Sequence, residues 1–196
     1  YLKDKKYLID EKFEYSKLNT SENSYHNFKF KKVVFCEGTG IFNNPYFNFI
    51  PIIPNKGHFL KVRLSVPLTT SAIIKKKHFL FPVVDDIYYY GGTYDPDGSG
   101  NEIDFTAKKQ LIDGLKEIYP HEFEVLEINF GYRPTVKDRR PIVGAHAEHK
   151  NLFVLNGLGA RGILNGCYFA HHLYNHAEYN EVLLPEIQIN RFFSKY

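Results

Sequence analysis

Apolar and polar positions alternate in several short runs, and the period of that alternation changes along the chain. His58–Val66, Ile73–Phe81 and Ile87–Thr93 are strand candidates, and Phe123–Pro134 is strand-like. Phe28–Gly40 reads as a strand that becomes buried at Val33–Cys36 and stops at glycines. Lys6–Leu18 alternates loosely in strand fashion. Thr20–Asn27 is a polar turn, and Asn43–Gly57, with its three prolines, reads as irregular. The period lengthens to that of a helix over Thr106–Pro120, where Leu111, Ile112, Leu115 and Ile118 share a face and Pro120 closes the segment. Two short apolar runs, Pro141–His146 and Asn151–Asn156, precede a second helical stretch, Gly162–Tyr179. Strands in series with one intervening helix predict an α+β fold with a mostly antiparallel sheet.

Composition narrows the function classes. The chain has 196 residues and is 43% hydrophobic, enough for one good domain or two small ones. A net charge of +3, evenly spread, argues against a nucleic-acid partner. Cys36 and Cys167 lie far apart and match no disulfide framework or zinc spacing, which points to a reducing cytoplasm. No apolar run is long enough to span a membrane, and no secretory signal is visible. Nine histidines invite a metal reading, with His172 and His176 four apart and His146 and His149 near each other. No H-E-x-x-H pattern or third ligand accompanies them, so they read as solvent-facing and no metal is expected. The chain contains no Met, and the expectation is a piece cut from something longer.

Gly157, Gly159 and Gly162 spell G-x-G-x-x-G between a strand-like and a helix-like run. A dinucleotide site needs a βαβ unit and an acidic residue about twenty positions on. Glu178 and Glu181 fall near that distance, but little chain follows them and it contains Pro185. A ligand-free corner is the second reading. The third is a corner that receives a flavin ring. Glycines let a flat ligand approach the backbone, and a helix N-terminus stabilises the negative charge a flavin gains on reduction.

The run Gly131–Leu164, "GYRPTVKDRRPIVGAHAEHKNLFVLNGLGARGIL", resembles the closing segment of the D-amino-acid oxidase/glycine oxidase family of FAD-dependent oxidoreductases. Its pattern there is approximately G-x-R-P-x-x-x-D-x-x-P-x-x-G, a short apolar strand, then G-x-x-x-x-G-[IL]. "VVFCEGTG", "PNKGHFL" and "YYYGGTYD" match further family segments in order, so the likeness runs from about Lys31 to Ala177. The resemblance implies the C-terminal part of such an enzyme. Residues 1–42 would end the FAD-binding domain, 43–130 would form the substrate-binding sheet, and 131–196 would return to the FAD domain with the flavin-contacting loop and last helix. The N-terminal FAD-domain segment would be a missing partner, and the fragment alone would be inactive.

The same resemblance assigns roles. Arg133 would fork onto a substrate carboxylate. Arg161 lies one position from a second substrate arginine of glycine oxidases, with Ala160 in the matching place. Gly157, Leu158, Gly159, Ala160, Gly162, Ile163 and Leu164 would line the pyrimidine side of the flavin. Gly38 and Gly40 would turn the strand end near the cofactor, and Lys56 and Gly57 would sit beside it. Asp138, Arg139 and Arg140 read as turn chemistry. Phe79 replaces a family tyrosine that contacts the substrate carboxylate, leaving His78, Tyr88, Tyr89 or Tyr90 to compensate. The implied reaction is oxidation of a small amine or amino acid by hydride transfer to FAD. Alternatives are a tRNA-modifying flavin oxidase domain, or a non-catalytic binding module in the isolated fragment.

Overall fold

The computed structural model describes residues 1–195. In chain order it places strands at Leu18–Asn19 (β1), Ser24–Tyr25 (β2), Phe28–Lys29 (β3), Val33–Phe35 (β4), Ile53–Leu64 (β5) and Ile74–Lys75 (β6). Then come Phe79–Val84 (β7) and Ile87–Gly91 (β8), helix Phe105–Lys116 (α1), and strands Phe123–Thr135 (β9), Ile142–Ala145 (β10) and Leu152–Asn156 (β11). Helix Gly162–Tyr179 (α2) has the bounds its periodicity predicts. The result is a mixed α/β chain with mainly antiparallel sheets and few helices. It divides into two units.

One unit comprises 1–50, 142–156 and 167–196. It holds a small β1-β2-β3 meander and a sheet of order β10-β11-β4, in which β11 runs antiparallel to β10 and parallel to β4. Val143, Phe153, Leu173, Leu183 and Ile187 form its core. The expected strand over Lys6–Leu18 is not there. The segment is almost wholly exposed up to a short 3-10 turn at Tyr15–Lys17, and only Leu18 enters a ladder. Alternation without a partner strand or a covering layer does not hold a strand. Phe28–Gly40 likewise breaks into β3 and β4. Only Phe35 is buried there, against the Phe13 and Phe47 rings, while Val34 and Cys36 face outward. In α2 only Leu173 is buried, whereas Ile163, Leu164 and Tyr168 are exposed.

The other unit comprises 51–141 and 157–166 and is built on a five-stranded antiparallel sheet of order β6-β7-β8-β5-β9. Helix α1 covers one face. Leu60, Val62 and Leu64 of β5 and Tyr88 and Tyr90 of β8 pack there with Leu111, Leu115 and Tyr119. Asp104 caps α1 by accepting the Thr106 N–H at 2.7 Å, and Leu111 and Leu115 are the buried members of the apolar stripe read from the sequence. Strand β5 begins at Ile53, inside the stretch expected to be irregular. Its proline does no harm because β8 pairs with β5 only from Phe59 onward. Pro54 lies opposite Pro134 with strand β9 on one side alone. The run Ile73–Phe81 is interrupted by a turn, which leaves a short β6 and a β7 that extends to Val84.

Candidate functional site

Because side chains alternate along a strand, the face of β5 opposite α1 carries Asn55, Gly57, Phe59 and Lys61. The antiparallel register lines these up with β9 in rows about 7 Å apart. Ile53 pairs with Thr135, Asn55 with Arg133, Gly57 with Gly131, Phe59 with Asn129 and Lys61 with Glu127.

Arg133 is the chemical centre of this face. Its side chain lies across Gly57, where a Cβ would overlap the guanidinium, and reaches Gly92, where a Cβ would come within 2.7 Å of Nη2. Its Nη1 donates to Asn55 Oδ1 at 3.2 Å and to the Thr93 carbonyl at 3.0 Å. Burial pulls its pKa below the ordinary arginine value, yet a guanidinium remains charged. Among the described residues no carboxylate forms an ion pair with it. The neighbouring Asn55 amide nitrogen is buried without a hydrogen-bond partner. A half-buried cation without a counter-ion, beside an orphaned donor, fits a carboxylate supplied by a ligand.

Thr135, one row from Arg133, forms part of the wall of a cavity of about 580 Å³. The glycine corner Gly157–Arg161 and Tyr94, Lys137 and Arg139 also line it, with Ile53, Pro96 and Val136 adding apolar wall. Gly157 (φ 71°) and Gly159 (φ 56°) both adopt the left-handed conformation, which glycine enters without strain. A 3-10 turn, Gly159–Arg161, leads directly into α2, so the corner stands at a helix N-terminus with its free N–H ends and positive dipole. Among the described residues no acidic side chain lines the cavity, whereas Lys137, Arg139 and Arg161 all do. This combination of bare backbone, helix end and positive charge fits the electron-rich edge of a flavin ring.

The remaining sequence-derived candidates are distributed as follows. Leu158 and Ala160 line the cavity with the glycines, and Gly162 opens α2. Ile163 and Leu164 are exposed and do not line it. Lys56 is buried, and its ammonium donates to the Ser99, Gly100 and Glu102 carbonyls at 3.2, 2.9 and 2.7 Å. It therefore secures the loop that follows Tyr94 and does not line the cavity itself. Gly38 (φ 56°) and Gly40 belong to the other unit, where the Asn156 amide donates to the Gly38 carbonyl at 2.9 Å. Asp138 accepts the Arg140 N–H at 3.0 Å in the expected turn, and Arg139 holds a left-handed φ of 56°.

Phe79 lies on the open face, level with Gly91 and Phe59. Of the residues expected to compensate for it, His78, Tyr88 and Tyr90 are on the α1 side. There His78 bonds the Gly92 carbonyl, the Tyr88 hydroxyl takes the Leu68 N–H, and the Tyr90 hydroxyl is buried without a partner. Tyr89 shares the face of Phe79 and packs against Phe59 and Phe81. Sequence reading missed Asn55, Thr93 and Tyr94. Asn55 stands next to the recognised Lys56-Gly57 pair, and Thr93 and Tyr94 are in the "GGTYD" segment. His172 accepts the Leu184 N–H, and a ring nitrogen of His176 is 2.7 Å from the Glu181 carbonyl, so both bind the chain that follows α2.

Comparison with known proteins converges on one group. The model of the family described as FAD dependent oxidoreductase matches residues 10–175. The curated tRNA 5-methylaminomethyl-2-thiouridine biosynthesis bifunctional protein MnmC of Azoarcus sp. (strain BH72) is 22% identical over 151 residues, 67% of this chain and 24% of that protein. Among solved structures, iminodiacetate oxidase (IdaA) from Chelativorans sp. BNC1 superposes with a TM-score of 0.71 at 21% identity, over 82% of this chain and 46% of that one. Glycine oxidase from Geobacillus kaustophilus gives 0.67 at 23% identity, over 80% and 44%. The chain thus spans about a quarter of the curated relative and under half of these structures.

Proposed function

This chain belongs to the FAD dependent oxidoreductase family, whose cofactor is FAD, and we propose that it forms the substrate-binding and ring-contacting part of an enzyme that oxidises an amine or amino acid. The observation that carries the reading is the half-buried Arg133 guanidinium, which has no carboxylate counter-ion among the described residues, one row along the same sheet face from the cavity lined by the glycine corner. Arg133 holds the substrate carboxylate through donors left over after its bonds to Asn55 and Thr93, and the Asn55 amide supplies a further donor. The Gly157–Ala160 backbone and the start of α2 hold the pyrimidine edge of the ring, with Arg161 at its rim. When bound, FAD supplies the acceptor for the hydride leaving the substrate Cα. The chain's own contribution is to orient that carbon and to stabilise negative charge at the ring edge. No acid–base set is required of it. The two free cysteines suit a cytoplasmic enzyme.

The test is carboxylate binding followed by calorimetry. Arg133→Gln should weaken it about a hundredfold, and Arg133→Lys should recover only part, because a point charge lacks the planar fork. Unchanged affinity in Arg133→Gln defeats the reading. In the flavin-loaded enzyme the same variant should lower kcat/KM for carboxylate substrates with flavin still bound.

A second reading, a tRNA-modifying flavin oxidase domain, is favoured by the likeness to the Azoarcus protein and by Lys137, Arg139 and Arg161 at the cavity. It calls for tRNA binding that weakens steeply with salt. A chain that takes up neither flavin nor carboxylate is a binding module only.

A further inference from the structure

Beyond Arg133 the open face of the sheet continues in an order that bears on what else the ligand carries. The row after Arg133 is the Gly57–Gly131 pair. The guanidinium occupies the space above Gly57, but a Cβ at Gly131 would meet nothing within 4 Å. The next row reads Asn129, Phe59, Gly91, Phe79 across β9, β5, β8 and β7. The one after it reads Glu127, Lys61, Tyr89, Phe81. Phe59 and Phe81 both pack on Tyr89, with ring centroids at 5.4 and 5.7 Å, so these three rings form one band, and Phe79 lies level with Phe59 across Gly91 on the same face. Phe79 and Phe81 are exposed. The adjacent charges neutralise each other, Lys61 with Glu127 at 2.9 Å and Arg63 with Glu124 at 2.6 Å.

We infer that this face binds the remainder of the substrate, and that the substrate is a small amino carboxylate bearing a ring-sized apolar group. The carboxylate meets Arg133, the linking atoms pass over Gly131, and the apolar group rests on Phe59 at the near edge of the aromatic band. The inference rests on the assignment of Arg133 above. A glycine-sized substrate does not reach the aromatic band, whereas a ring resting on Phe59 gains both burial and ring–ring contact. The spacing agrees, since one row of about 7 Å separates the guanidinium over Gly57 from Phe59.

Two acids that differ only in the ring test this on the chain itself: propanoate and 3-phenylpropanoate, titrated calorimetrically. The phenyl acid should bind about tenfold tighter, the size of one good aromatic contact. Phe59→Ala should cut that ratio below about twofold, and Phe59→Tyr should keep it. If Phe59→Ala fails to fold, Phe81→Ala reads the same band and should reduce the ratio as well. Equal affinity for the two acids, both lost in Arg133→Gln, overturns the aromatic subsite and leaves the arginine assignment standing. A ratio that survives Phe59→Ala also overturns the subsite. Binding of neither acid, or binding of both by Arg133→Gln as by the parent chain, overturns both.

Discussion

Lys56 and Tyr132 meet on a single oxygen. The Lys56 ammonium and the Tyr132 hydroxyl both donate to the Gly100 carbonyl, at 2.9 and 2.6 Å. The ammonium also stands 4.4 Å from the centroid of the Phe130 ring. A buried cation is tolerated here because backbone carbonyls replace its water. With the pairing of Lys56 and Asp95, it closes the "DPDGSG" loop. Lys56→Met should therefore free that loop. We expect faster protease cleavage between Asp97 and Asn101 and a loss of about 1–3 kcal/mol in urea unfolding, because three part-buried carbonyls lose a charged donor, although the Gly100 carbonyl keeps Tyr132.

Two tyrosines of the same core should respond oppositely to loss of the hydroxyl. The Tyr119 hydroxyl takes the Val66 N–H at 2.8 Å and donates to the Val66 carbonyl at 2.9 Å. The Tyr90 hydroxyl is buried without a partner. Tyr119→Phe should cost about 1–2 kcal/mol, whereas Tyr90→Phe should be neutral or stabilising by up to about 1 kcal/mol. Urea midpoints of the two variants decide it.

Acid should destabilise the unit that holds His58. That ring is fully buried, its Nε2 accepts the Asp104 N–H at 3.2 Å, and burial followed by the Lys56 charge lowers its pKa. Folded His58 thus takes up a proton less readily than unfolded His58. Its contribution to stability is complete above the ordinary imidazole value of 6.5 and is lost as pH falls from there toward the lowered folded value. Asp104 and Asp95 oppose the shift without reversing it. His78, in the same unit, is shifted the same way by burial. The unfolding midpoint should drop between about pH 7 and pH 5, and less so in His58→Gln; a flat profile contradicts the assignment.

Gly57 and Gly131 face each other across β5 and β9 but should tolerate a methyl group differently. Gly57→Ala forces the Arg133 guanidinium off its seat and should lower carboxylate affinity about tenfold or more. Gly131→Ala enters open space and should leave the urea midpoint within about 0.5 kcal/mol of the parent. A large loss of stability in Gly131→Ala, or unchanged carboxylate affinity in Gly57→Ala, contradicts this arrangement.

What the sequence revealed of this molecule depended on how local each determinant is. The stripe of Leu111 and Leu115, closed by Pro120, is a local signal, and α1 forms there. The long run Phe123–Pro134 became β9 almost residue for residue. Lys6–Leu18 shows the limit: its alternation resembles that of a strand, but a strand also needs a neighbour, and a period does not record one. Pro54 shows the converse, since a proline discouraged a strand that is stable because β8 stops short of it. For the site, Arg133 and the glycine corner were legible because they stand in motifs. Asn55 and Thr93 were not, because they meet Arg133 only through pairing across strands 78 and 40 residues apart.

Helix α2 has a practical consequence for anyone handling the polypeptide. Ile163 is completely bare, Leu164 mostly so and Tyr168 more than half exposed, so one flank of the helix presents a greasy seam to the buffer. Such a seam collects detergent, column resin or neighbouring molecules at high concentration. How long a sample stays monodisperse therefore depends on that seam as well as on the strength of the folded core.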